Sequence, residues 1–176
     1  MVVAFPSWLK CSRSRVAAAL LLSAAFGLGA RSATGRSSVH VIVQKEARRL
    51  SILQGDRTLK TYRIALGRQP RGRKECQGDD RTPEGSYIID SRNRNSGYHR
   101  ALHVSYPNAA DRKAAEKKGC NPGGDIMIHG LPNGYGWLGR THTARDWTQG
   151  CIAVTNAEIE EIWKLVPNGT RLEIRP

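Results

Sequence analysis

From residue 39 onward, apolar and polar positions alternate in short runs. The stretches 39-VHVIV-43, 48-RRLSIL-53 and 58-TLKTYRIAL-66 are rich in β-branched residues, and 55-GD-56 supplies a turn between the second and third. They predict a β-meander. Strand patterns return at 86-SYIID-90, 101-ALHVSY-106, 126-IMIHG-130 and 151-CIAVT-155, and an alternating 170-TRLEIR-175 closes the chain. Helical patterns are fewer. One covers 109-AADRKAAEKKG-119, with Gly119 as terminator; another covers 157-AEIEEIWKLV-166, where Ile159, Ile162, Trp163 and Val166 share a face and Thr155 with Glu158 has capping-box spacing. The segments 67–85 and 131–150 read as loops, the first long, polar and crowded with Gly and Pro. Between two strands, 91-SRNRNSGYH-99 is too polar for a core. These elements predict a mainly β fold, a sandwich or barrel-like sheet with two short helices.

The N-terminal stretch is of another kind. Lys10, Arg13 and Arg15 precede the apolar run 16-VAAALLLSAAFGLGA-30, and no acidic residue interrupts them. This is the pattern of a secretory signal peptide over residues 1–30, cleaved near 29–31, followed by a small polar linker at 31–38 and one domain over 39–176. The run is shorter than the roughly 20 residues of a spanning helix. The expected product is an exported domain of the periplasm or cell envelope. Losing three of the 28 basic residues and none of the 15 acidic ones leaves 25 against 15, a net charge of +10. Such a balance favours anionic partners and transient envelope association. It does not argue for nucleic acid, because no interleaved aromatic pattern or recognition motif accompanies the charge.

Three cysteines follow the signal segment, Cys76, Cys120 and Cys151. In an oxidising compartment an odd number suggests one pair and one free thiol. Cys76 and Cys120, both in loops outside the apolar runs, make the more natural couple. Cys151 then remains as a nucleophile candidate, with His129 and His142 upstream as candidate bases. Gly130 lets the chain turn where an imidazole leaves a strand. Gly150 removes bulk beside the thiol and permits a backbone that aims amide N–H groups at an oxyanion. Each residue taken singly also suits a plain structural role. Cys120, His129, His142 and Cys151 are of the right type for zinc, yet separations of 9, 13 and 9 positions lack the close pairs of structural zinc sites, so no metal or other cofactor is expected.

Three stretches, 82-TPEGSY-87, 125-DIMIHG-130 and 148-TQGCIAVT-155, together resemble the L,D-transpeptidase catalytic domain of the YkuD type, over about Val39 to Arg175. The resemblance implies a mostly β fold and action on peptidoglycan stem peptides in cell-wall biogenesis. Cys151 would attack the carbonyl of the third stem residue, release a terminal D-alanine, and pass the acyl group to an amine acceptor or to water. His129 would be the base, Gly130 would orient it through its backbone, and amides near Gly150 and Cys151 would hold the oxyanion. Thr148 matches the motif's Ser/Thr position. Gln149 stands where many members have His, and Ala153 where many have Arg. Substrate carboxylates make Arg81, Arg140 and Arg145 candidate contacts, with Thr148, Gln149 and His142 as further lining residues. Asp125 and Asp146 could orient a histidine or satisfy loop amides. A noncatalytic wall-binding module is the reading from a different class; papain-like hydrolases fit less well, because their cysteine precedes the histidine.

Overall fold

The structure is a computed structural model and describes residues 38–176; the expected signal peptide and all but the last residue of the expected linker lie outside them. Strands β1 (Val39–Gln44), β2 (Arg49–Gln54) and β3 (Arg57–Arg63) form the expected antiparallel meander, with Val41 opposite Ile52 and Leu50 opposite Tyr62. The last strand, β8 (Arg171–Arg175), inserts parallel beside β1 and antiparallel beside β4 (Gly85–Ser96). Beyond β4 come β5 (His99–Val104), β6 (Met127–His129) and β7 (Ile152–Ala153), giving the order β3-β2-β1-β8-β4-β5-β6-β7 among the described residues. The sheet curls until Ala65, just past β3, bridges Ala153 of β7, and Gly67 bridges Thr148.

Helix α2 (Asn156–Leu165) fills the curl, burying Ile159 and Ile162 against Val41, Leu50, Ile89, Leu102 and Ile128. Its start follows the sequence signal: Thr155 accepts the Glu158 amide at 3.2 Å and Glu158 accepts the Thr155 amide at 2.9 Å. Helix α1 (Ala109–Lys117) is capped in the same reciprocal way by Asn108 and Asp111. The Arg92 guanidinium lies 3.8 Å from the Trp163 ring centre, tying β4 to α2.

The structure corrects the sequence reading in two places. The polar stretch 91–99 is mostly strand, because β4 runs on to Ser96 and pairs with β5; hydrogen bonding along a ladder does not require buried side chains. The loop at 131–150 contains 3-10 turns over Gly136–Ala144, broken at Gly139, so there is a third helical element.

The loop 67–85 has no regular structure, yet it is fastened throughout. Buried Lys45, at the end of β1, donates to Gly72 O at 2.6 Å, Thr82 O at 2.9 Å and Glu84 Oε1 at 2.7 Å. Asp79 accepts the amides of Glu75, Cys76 and Arg81 and the ammonium of Lys74. Cys76 is disulfide-bonded to Cys120 just past α1, and Arg73 pairs with Asp111 at 3.0 Å. Burial lowers the Lys45 pKa, which the Glu84 carboxylate partly offsets. A Lys45→Met substitution leaves Glu84 and two carbonyls without their donor. It is expected to cost about 3 kcal/mol, read as a fall in the urea midpoint.

Candidate active site

β6 and β7 are parallel neighbours, with Ile128 level with Ile152 and His129 level with Ala153. Cys151 precedes that register by one residue and so falls level with Met127. Side chains alternate along a strand, so Ile128 and Ile152 enter the core while His129 and Cys151 share the opposite face. Strand spacing and a two-residue offset separate their Cα atoms by about 8 Å. Both line one cleft of about 460 Å³, with Arg68, Asn93, Tyr98, Asp125, Trp147 and Gln149.

His129 is 4 % exposed, and its Nδ1 lies 2.6 Å from Gly130 O. A carbonyl can only accept, so Nδ1 carries the proton and Nε2 keeps its lone pair. Gly130 has no room for a side chain, since a Cβ would stand 2.8 Å from Asn156 Oδ1. Tyr98 lies against the imidazole at 4.5 Å between ring centres, and Trp147 meets it edge-on at 5.8 Å. Burial in this aromatic setting lowers the His129 pKa to about 4; the Gly130 bond opposes the shift and His142 adds to it. At neutral pH His129 is an uncharged base.

The Cys151 thiol donates to Asp125 O at 3.5 Å. Burial raises its pKa, the Met127 amide opposes this, Asp125 adds to it, and Lys74 opposes it. Both reactive groups are therefore neutral at rest. The turn behind the thiol is built by Thr148, whose hydroxyl donates to Cys151 O at 2.7 Å and accepts the Gly150 amide at 3.1 Å. Gly150 has φ +128°, and a Cβ on it would meet Arg81 O at 2.6 Å. The expected oxyanion role of Gly150 is thus corrected: its N–H is already engaged, and its contribution is steric. The Cys151 amide has no hydrogen-bond partner among the described residues.

The expected arginines are not in the cleft. The Arg81 side chain turns to Glu75 at 3.7 Å; Arg140 is 89 % exposed, with Glu158 4.0 Å away. Arg145 lines a second, largely apolar cavity of about 380 Å³ with Leu131, Leu138, His142 and Trp147. His142 is buried there rather than beside Cys151; its Nδ1 accepts from Trp147 Nε1 at 3.4 Å, so it supports the tryptophan. Thr148 lines the cleft with its hydroxyl spent on the turn, while Gln149 is exposed at the rim. Asp146 orients no histidine: it binds Arg48 and the Leu66 amide. Cys120 is held in the disulfide, which removes it from any zinc set.

Sequence reasoning missed Arg68, Tyr98, Trp147 and the amide of Met127. Trp147 stands one residue before the TQGC motif, the one signal that could have found it. Tyr98 lies in the stretch 91–99, whose polarity predicts no place in a core.

A family model described as the YkuD L,D-transpeptidase catalytic domain matches residues 38–174. The chain is 32 % identical over 138 residues to YafK of Escherichia coli K12, which is provisionally named an L,D-transpeptidase; the match covers 74 % of this chain and 48 % of that protein. It is 27 % identical over 175 residues to YkuD of Bacillus subtilis, likewise provisionally named, covering 91 % of this chain and 87 % of that one. Among solved structures it is similar to the helical cell shape determining protein Pgp2 of Campylobacter jejuni, with a TM-score of 0.61 and 26 % identity over 78 % of this chain and 47 % of Pgp2. The chain spans about half the length of YafK and of Pgp2.

The buried, neutral His129 gives a sign-specific test. Its pKa is near 4 folded and 6.5 unfolded, so the unfolded state binds the extra proton between those values. Stability from this group is fully present above pH 6.5 and is lost as pH falls toward 4. Urea unfolding at pH 7 and pH 4.5 is expected to show a loss on the order of 2 kcal/mol that is absent from His129→Gln.

Proposed function

Because the chain belongs to the L,D-transpeptidase catalytic domain family, we propose that it is an exported cysteine acyltransferase that acts on peptidoglycan stem peptides through a thioester at Cys151. The observation that carries the reading is the pairing of an uncharged His129, with Nε2 free, and the Cys151 thiol on one face of β6 and β7 in a common cleft.

With the histidine pKa low and the thiol pKa high, a resting thiolate–imidazolium pair is disfavoured. The proton therefore moves during attack. Cys151 Sγ bonds to the donor carbonyl carbon as His129 Nε2 takes the thiol proton, and the Cys151 amide stabilises the oxyanion. Collapse breaks the C–N bond to the terminal D-alanine, whose amine leaves with the proton from His129. The thioester is then attacked by an amine, which gives a crosslink or attachment, or by water, which gives carboxypeptidase or endopeptidase chemistry. In both cases His129 accepts the incoming proton and returns it to Sγ.

Export is supported by the basic-then-apolar N-terminal segment and by the Cys76–Cys120 disulfide, which suits an oxidising compartment. No helix among the described residues is long and apolar enough to cross a membrane. A part in wall remodelling is in keeping with the similarity to Pgp2, a cell shape determining protein.

Incubation of the exported portion with muropeptides, followed by intact-mass analysis, is expected to show an acyl adduct on Cys151 that Cys151→Ala abolishes. His129→Ala is expected to slow adduct formation by about 10²- to 10⁴-fold. A folded protein that gains no mass and leaves the muropeptides unchanged would refute the reading, and product masses separate transfer to an amine from transfer to water.

A further inference from the structure

The cleft of this basic protein is not itself basic. Of the charged side chains that line it, Arg68 is matched by Asp80, with Nε 3.0 Å from Oδ2 and a second bond at 3.1 Å. Lys74, close enough to influence the thiol, is held by Asp79 at 2.8 Å. Asp125 alone has no cationic partner among the described residues, although it is exposed and lines the cleft. Its backbone carbonyl accepts a hydrogen bond from the thiol at 3.5 Å, so its carboxylate belongs to the residue in contact with Sγ.

An unmatched negative charge there works against chemistry that must build negative charge on sulfur, and the Coulomb effect of Asp125 on Cys151 has that sign. A cation that reaches the carboxylate before the attack removes that opposition. The cation cannot be the amine that later attacks the thioester, because a protonated amine has no lone pair and the acceptor is not needed until the thioester exists. It has to come with the acyl donor.

Resting on the reading of Cys151 as the nucleophile, we infer that the Asp125 carboxylate takes an ammonium group carried on the acyl donor's side chain, and that the donor thereby neutralises the charge that opposes its own attack by Cys151. Donor binding and thiol activation become one event. A peptide without the ammonium enters the cleft but meets a thiol that is harder to ionise. Asp125 acts as a specificity-determining residue for the acyl donor.

The test uses two stem tetrapeptides ending in D-alanine, identical except that the third residue's side-chain amine is free in one and acetylated in the other. Single-turnover release of D-alanine is followed without added amine acceptor. Wild type is expected to favour the free amine by on the order of tenfold, the equivalent of one pKa unit. Asp125→Asn is expected to lose that preference. Asn suits the left-handed backbone at this position, where φ is +55°, so the turn is kept. The same variant is expected to react faster than wild type with neutral iodoacetamide, its half-maximal pH shifted downward, because the opposing charge is gone. Release from the acetylated donor that rises toward that from the free-amine donor, together with faster alkylation, is a pair of gains that a merely loosened site does not produce. Preference retained in Asp125→Asn, alkylation that fails to accelerate, or a preference that appears only with an amine acceptor present each overturns the inference. Release of D-alanine from neither donor by wild type would instead remove the nucleophile reading, and this inference with it.

Discussion

The turn that presents Cys151 rests on a place where three backbone segments approach more closely than side chains allow. A Cβ on Gly67 would stand 2.1 Å from Asp80 O, its direction also meets Gly150 Cα at 3.1 Å, and a Cβ on Gly150 would stand 2.6 Å from Arg81 O. Residues 80–81 are thus wedged behind the turn that presents Cys151. This explains why a loop without regular structure is tied down by a buried lysine, a multiply bonded aspartate and a disulfide: loosening the loop moves the wall against which Cys151 is set. Arg81 contributes here through its carbonyl, although its charge made it conspicuous as a substrate contact.

The same closeness shapes the electrostatics. His129 is buried among Tyr98 and Trp147, and Cys151 is half-buried with its thiol pKa raised, so neither ionises readily. Low polarity penalises a preformed ion pair, yet it strengthens each dipole aimed at charge that develops during reaction. The Gly130 carbonyl that fixes the imidazole tautomer and the Met127 amide that faces the thiol are dipoles of this kind, and both belong to β6 or its immediate continuation. A three-residue strand therefore sets the tautomer of His129 and eases ionisation of Cys151.

Much of this was legible in the chain. Alternation located β1, β2 and β8, whose buried faces repeat every second residue, and Thr155 with Glu158 marked the start of α2. The histidine–glycine and TQGC pair pointed to the cleft. What escaped has a common physical cause: hydrophobic patterning reports burial and is silent on pairing that is solvated or polar contacts that are distant in sequence. The outer half of β4 pairs in solvent, so its polarity concealed it. Lys45 reads as an ordinary strand-end lysine, and only its acceptors, 27, 37 and 39 positions away, make it a buried one. The arginines misled for the reverse reason, since charge in a sequence does not reveal which cations are already neutralised or face elsewhere.

The two departures from the family motif gain meaning from this arrangement. Ala153 is fully buried, level with His129, and exchanges both backbone hydrogen bonds with Ala65 where the sheet curls back on itself. An arginine there would need space that the closure occupies. The strand that follows Cys151 accordingly supplies no cation, and Gln149 cannot ionise in place of a histidine. Positive charge in the cleft comes from Arg68, on the loop side, and Asp80 has already claimed it. With cations missing from positions 149 and 153 and the remaining one matched, the carboxylate of Asp125 is what the cleft has left to offer a charged substrate group.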